Sequence, residues 1–221
     1  VSAPIQPAAV RLRITEIFRS IQGEADSVGM PTTFIRLTGC PLRCRYCDTA
    51  YAFSGGLAMT LDEILAEVAT LGARYVCVTG GEPLAQKPVL ELMTALCDIG
   101  YRVSIETSGS LPIDSVDARV VRVVDLKTPG SGECERNRYD QLEYLRPADQ
   151  VKFVICDRAD YEWSRDQVAR YGLDARCGVL FSPSHEQLPA GQLADWIVAD
   201  RLPVRLQVQL HKYLWGNVPG R

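Results

Sequence analysis

Three thiols crowd into one short segment, Gly39-Cys40-Pro41-Leu42-Arg43-Cys44-Arg45-Tyr46-Cys47-Asp48-Thr49. Thiolates are ligands for soft metals, and the spacing admits several chemistries. A closed structural zinc site takes four ligands, commonly as two CxxC pairs. No second pair exists here, and the only two histidines, His185 and His211, are remote in sequence. A disulfide would strand the third thiol. An iron–sulfur cluster suits the residues better, because thiolates are the preferred ligands of cluster iron. Three of them on a four-iron cubane leave one iron with an open coordination site. An electron-carrying ferredoxin usually fills that position with a fourth Cys, whereas a vacant iron can take up a small molecule. Cys134, in the acidic loop Gly132-Glu133-Cys134-Glu135, is the thiol available to close the site, and its neighbours raise its pKa. Cys77 and Cys156 sit in apolar runs and read as buried, inert thiols, as do Cys97 and Cys177.

The elements that position this segment follow from the pattern around it. Thr33–Leu37 reads as a strand leading directly into the cysteines. Thr60-Leu61-Asp62-Glu63 is a capping box, followed by Leu61, Ile64, Leu65, Val68 and Leu71 at helical spacing and a terminating Gly72. A short β-branched strand, Arg74–Thr79, then stops at Gly80-Gly81. Pro88 opens a helix carrying Leu92, Met93, Leu96 and Ile99. Further strands are expected at Tyr101–Glu106, Val120–Lys127, Gln150–Ile155, Gly178–Phe181 and Val204–Val208, with helices near Tyr161–Tyr171 and Leu188–Ala199. Strand, crossover and strand repeated in this way gives an α/β fold with a parallel sheet. About six units are legible, too few for a complete barrel, so the pattern leaves an incomplete barrel or a doubly wound sheet. In both, function gathers at the carboxyl ends of the strands.

Composition narrows the classes. The 221 residues are 47% hydrophobic and 23% charged, enough to bury a core. Lys and Arg total 24 against 27 Asp and Glu, a net charge of -3, so no basic surplus argues for nucleic acid. No apolar run approaches the ~18 residues that span a bilayer. The stretch Val1–Val10 lacks the pattern of a secretory signal and is expected to be a flexible lead-in to a single domain over 11–221. Cysteine usage points to a reducing cytoplasm.

With CxxxCxxC and an aromatic before the third Cys, followed by Gly80-Gly81-Glu82-Pro83 and Glu106-Thr107-Ser108-Gly109 at successive strand ends, the chain resembles the radical S-adenosylmethionine superfamily. Ser20-Ile21-Gln22-Gly23-Glu24, Gly29-Met30-Pro31, Phe34-Ile35-Arg36-Leu37, Cys47-Asp48-Thr49 and Gln209-Leu210-His211-Lys212-Tyr213 narrow the resemblance to the 7-carboxy-7-deazaguanine synthase family. That resemblance implies a partial TIM-like barrel of about six parallel strands with reduced helices. It also implies a [4Fe–4S] cluster on Cys40, Cys44 and Cys47, with S-adenosylmethionine on its open iron. The cofactor is expected along Tyr46, Asp48, Gly80, Gly81, Glu82, Glu106, Thr107, Ser108, Asp125, Leu126 and Lys127. Mg²⁺ is expected on Thr49.

The implied reaction converts 6-carboxy-5,6,7,8-tetrahydropterin to 7-carboxy-7-deazaguanine and ammonia, on the way to queuosine. The pterin is expected against Ile21, Gln22, Gly23, Glu24, Arg36, Thr79 and His211. An external one-electron reductant of flavodoxin or ferredoxin type and a homodimer are implied as well. Arg36 suits a carboxylate because its guanidinium forks two oxygens and stays charged. Alternation along Phe34-Ile35-Arg36 puts it on the face of Phe34, and if that face is inward the substrate can supply the anion a buried cation needs. His211 reads equally as a substrate contact, a proton shuttle or a satisfied core histidine. Gly80 and Gly81 read as letting backbone approach a ligand, and the Thr107 and Ser108 hydroxyls suit a ribose or carboxylate. Ala25 stands where the family usually has Gly, and the chain after Tyr213 runs longer than in some relatives. A glycyl-radical-activating enzyme, or a zinc or iron–sulfur module without chemistry, is the competing reading.

Overall fold

The capping box at Thr60 forms as read: the Thr60 hydroxyl accepts from Glu63 N at 3.2 Å and Glu63 Oε2 accepts from Thr60 N at 2.7 Å. A computed structural model of the chain describes residues 10–216, 218 and 220, so the lead-in expected over 1–10 lies, but for Val10, outside the described residues. Within them the strands are β1 (Arg11–Ile21), β2 (Pro31–Leu37), β3 (Leu57–Thr60), β4 (Tyr75–Gly80), β5 (Arg102–Thr107), β6 (Val121–Asp125), β7 (Gln150–Ile155), β8 (Gly178–Pro183) and β9 (Arg205–Leu206). The α-helices are α1 (Leu61–Leu71), α2 (Val89–Ile99), α3 (Arg158–Tyr171), α4 (Ala190–Asp200) and α5 (Leu210–Trp215).

The nine strands form one sheet in the order β3-β1-β2-β4-β5-β6-β7-β8-β9. From β2 onward every pairing is parallel, while β1 pairs antiparallel with both β2 and β3. The parallel run is therefore the expected six strands, β2, β4, β5, β6, β7 and β8, plus the two-residue β9. The result is an α/β partial barrel, and the doubly wound alternative is set aside. Reduced helices are evident too: β5 to β6 and β6 to β7 are joined without an α-helix.

Hydrophobic burial divides in two. Ile35, Val78, Ile105, Ile64, Val68, Leu92 and Leu96 pack the first half under α1 and α2, and Val151, Phe153, Phe181, Tyr161, Val168 and Leu193 pack the second under α3 and α4. The helix-facing positions of these strands are apolar and β-branched between turn residues, which is why the parallel strands were legible. The strand edges β3 and β9 do not pair with each other. The loop after β1 reaches across instead: Leu210 N and Gln207 Nε2 donate to Gly23 O at 3.1 and 3.4 Å, and Arg205 pairs with Asp26 at 2.9 Å. Among the described residues no helix is long and apolar enough to cross a membrane.

Candidate active site

The carboxyl ends of β2, β4, β5, β6 and β8 surround a cavity of about 640 Å³. The cysteine loop follows β2 and closes one side. Cys40, Cys44 and Cys47 all line the cavity, and they are the only cysteines among its lining residues. Cys134 is not one of them. Among the described residues no three His, Cys, Asp or Glu side chains gather tightly enough to hold a single metal ion. Burial pushes the Cys44 thiol up to about 11 and raises Cys40, against the pull of the Lys127 ammonium on both. Metal binding must displace those protons.

Two buried polar atoms beside the cysteines have no hydrogen-bond partner among the described residues, Tyr46 Oη and Asp125 Oδ1. Both residues line the cavity. A buried polar group left unpaired costs about 1–3 kcal/mol, so both atoms are open to a polar ligand. The other carboxylate oxygen, Asp125 Oδ2, holds Lys127 Nζ at 3.0 Å. Three thiols with two orphaned polar atoms fit a thiolate-bound cluster with a polar cofactor beside it.

The turn after β4 is built for the protein's own backbone. A Cβ on Gly80, whose φ is +140°, would lie 2.3 Å from Leu37 O, and one on Gly81 would lie 2.0 Å from Gly39 O. These glycines admit the start of the cysteine loop, and both also line the cavity. Gly81 N and Glu82 N then donate to Leu37 O and Gly39 O. Glu82 is fully buried, and its carboxylate accepts from Thr107 Oγ1, Ser108 N, Ser108 Oγ and Leu84 N. Its charge holds the turn, and the Thr107 and Ser108 hydroxyls are spent on it, although both residues still line the cavity.

The wall opposite carries β1 and β2. Phe34 and Arg36 share the inward face, as alternation requires, and Phe34 stacks on Phe18 with ring centroids 5.1 Å apart. Arg36 has a protein partner already: its Nε donates to Glu16 Oε1 at 2.7 Å, and Tyr51 Oη donates to the same oxygen at 2.8 Å. Its two terminal nitrogens have no hydrogen-bond partner among the described residues. The guanidinium carbon lies 5.8 Å from the centroids of both Phe18 and Tyr51.

The floor holds a buried ionic group. Lys152 Nζ lies 2.6 Å from Glu24 Oε2 and 3.6 Å from Asp125 Oδ2. Burial opposes charge on Glu24, but Lys152 outweighs it and, with Gln209, holds that carboxyl below its usual range. Glu106, which accepts from Thr79 Oγ1 at 3.2 Å, goes the other way: burial pushes it up, only partly offset by Lys152. His211, on α5, is kept below its ordinary value by burial. A Cβ on Gly23 would fall 2.0 Å from His211 Nδ1, so the absence of a side chain there seats the imidazole. Lys212 reaches back to Asp48 at 2.7 Å and ties α5 to the cysteine loop.

Residues 34–123 match the model of the radical SAM superfamily. The chain is 46% identical to the 7-carboxy-7-deazaguanine synthase of Chlorobaculum tepidum, over 93% of this chain and 94% of that protein. It is 45% identical to the enzyme of the same name from Koribacter versatilis, over 92% and 97%. The crystal structure of QueE from Escherichia coli superposes with a TM-score of 0.75 at 25% identity, covering 91% of this chain and 95% of that one. The chain belongs to the 7-carboxy-7-deazaguanine synthase family. Membership brings the [4Fe–4S] cluster and S-adenosylmethionine of the superfamily, and sets aside the activating-enzyme and non-catalytic readings.

Against the 7-carboxy-7-deazaguanine synthase pattern, most residues read from the sequence meet at the cavity: Ile21, Gln22, Glu24, Arg36, Tyr46, Asp48, Thr49, Thr79, Gly80, Gly81, Glu106, Thr107, Ser108, Asp125, Lys127 and His211. Three do not. Leu126 is in the core with its N–H spent on Lys152 O, Gly23 lies behind His211, and Glu82 faces the β4–β5 strand ends. Sequence reasoning missed Glu16, Lys152, Gln209 and Lys212. A lone Lys in the apolar run of Val151-Lys152-Phe153-Val154 was the one signal for Lys152.

Proposed function

We propose that this cavity binds 6-carboxy-5,6,7,8-tetrahydropterin and converts it to 7-carboxy-7-deazaguanine with loss of ammonia, in deazapurine biosynthesis. The observation that carries the reading is the cavity's division: three thiols and no fourth at one side, a guanidinium with two free nitrogens at the other. Cys40, Cys44 and Cys47 hold the cluster. Bound there, the cluster and S-adenosylmethionine would supply radical chemistry at the carbon bearing the substrate carboxylate.

The chain's own residues do the rest. Tyr46 and Asp125 offer unpaired polar atoms to the cofactor. Arg36 forks the substrate carboxylate with its terminal nitrogens, since Glu16 occupies only Nε. Glu24 and Gln22 read the pterin edge. Thr49, whose hydroxyl has Cys47 Sγ, at 3.8 Å, as its hydrogen-bonding neighbour, would hold Mg²⁺ beside the substrate carboxylate. One neutral hydroxyl is a weak ligand for a hard cation, so the metal arrives with substrate. The His211 side chain, neutral above its lowered pKa, is free to accept a proton. A flavodoxin- or ferredoxin-type reductant, a homodimer, a cytoplasmic location and a single domain over 11–221 complete the proposal.

Anaerobic incubation with S-adenosylmethionine, reductant, Mg²⁺ and carboxytetrahydropterin, followed by mass analysis, tests it. Formation of 7-carboxy-7-deazaguanine and ammonia is expected. Cleavage of S-adenosylmethionine with the pterin returned unchanged would overturn it.

A further inference from the structure

Lys152 joins residues from distant parts of the chain at the centre of the cavity floor. It stands mid-way along β7, is 8% exposed, and contacts Glu24, 128 positions earlier in sequence. Its partners belong to different ends of the cavity: Glu24 to the loop after β1, Asp125 to the end of β6 beside the cysteines. Glu24 is held at both oxygens, Oε2 by Lys152 at 2.6 Å and Oε1 by Gln209 Nε2 at 2.9 Å. Each carboxylate oxygen has two lone pairs, so each keeps one for a further donor. A carboxylate fixed in this way accepts two N–H groups side by side.

We propose that Lys152 is a positioning residue for the substrate: by holding Glu24 Oε2 and drawing it toward Asp125, it sets the Glu24 carboxylate to receive the paired ring N–H and 2-amino donors of the pterin. The inference rests on the substrate assignment above and deepens it. A purely structural tie does not account for the residue. A buried ion pair is costly to desolvate, and apolar residues of similar volume commonly hold such a place at least as well. The neighbours of Lys152 along β7, Val151 and Phe153, show that the opposite face of the strand is filled that way. The charge is kept on the cavity face, where Glu24, Asp125 and Glu106 all bear on it.

Isothermal titration of the cluster-loaded protein in the presence of S-adenosylmethionine tests this with two ligands. One is 6-carboxypterin, and the other is 6-carboxylumazine, which carries an oxygen in place of the 2-amino group and so presents an acceptor to Glu24. The wild-type protein is expected to prefer the pterin by roughly a hundredfold, since a site built for an N–H rejects the analogue that lacks it. Lys152→Met should lose most of that preference by weakening the pterin alone, and Lys152→Arg should restore part of it. An equal loss for both ligands, or an unchanged preference, would overturn the positioning role. Should Lys152→Met fail to fold, the double variant Glu24→Gln with Lys152→Met removes both charges and should bind the two ligands alike; a preference retained there would also overturn it. A wild-type protein that binds neither ligand overturns the substrate assignment itself, a result distinct from any of these.

Discussion

Ser108 donates both its hydroxyl and its backbone N–H to Glu82 Oε2, at 2.5 and 2.7 Å, across the ends of β5 and β4. With Thr107 on the same carboxylate, this joins two strand ends that border the cofactor side of the cavity. Glu82→Ala leaves several buried donors unpaired, and each costs about 1–3 kcal/mol. The expected outcome is a loss of at least about 3 kcal/mol in urea-induced unfolding together with weakened S-adenosylmethionine binding. Wild-type stability in the variant would show that the turn does not depend on this charge.

On the proposed function, Glu16 sets which nitrogens Arg36 presents to the substrate carboxylate. By taking Nε it leaves the terminal fork to a carboxylate, and Phe18 and Tyr51 border the guanidinium. Glu16→Ala should raise KM for the pterin roughly tenfold, about 1.4 kcal/mol, with a smaller effect on kcat. Arg36→Lys should raise it further, because a point charge replaces a planar fork. A fall in kcat with KM unchanged would contradict the assignment.

Thr49→Ala should shift the Mg²⁺ titration of turnover to higher concentration while iron content stays constant. A titration that superposes on the wild type would take Thr49 out of the metal's coordination.

Ala25 sits at φ +62°, in the left-handed region, while 4% exposed. The alanine therefore stores strain in the turn that carries Glu24. Ala25→Gly relieves about 1–2 kcal/mol, partly offset by the greater freedom of glycine in the unfolded chain. A rise of about 2–4 °C in Tm is expected for a gain near 1 kcal/mol. A lower Tm would mean that packing of the methyl group outweighs the backbone strain.

What was legible in the sequence was local. Cys40, Cys44 and Cys47 fall within one loop, and the parallel strands announce themselves as apolar runs between turn residues. β1 did not, because its charged and half-buried positions mix along Arg11–Ile21 and it pairs antiparallel with both neighbours, β2 and β3. α5, with six residues, is too short to show a period. The ionic partners were illegible for a different reason: Glu24 and Lys152, or Asp48 and Lys212, meet only once the barrel has curved. The same distance in sequence hid the fates of Glu82, Thr107 and Ser108. Each looked free to meet a ligand until the fold turned them toward one another.

On the proposed function, Cys40, Cys44 and Cys47 hold the cluster and leave one iron open. Electron paramagnetic resonance of the anaerobically reconstituted, reduced protein, with and without S-adenosylmethionine, tests it most directly. Four irons per chain and a signal that changes when the cofactor is added are predicted. A signal indifferent to S-adenosylmethionine, or stoichiometric zinc in a colourless protein, would contradict it.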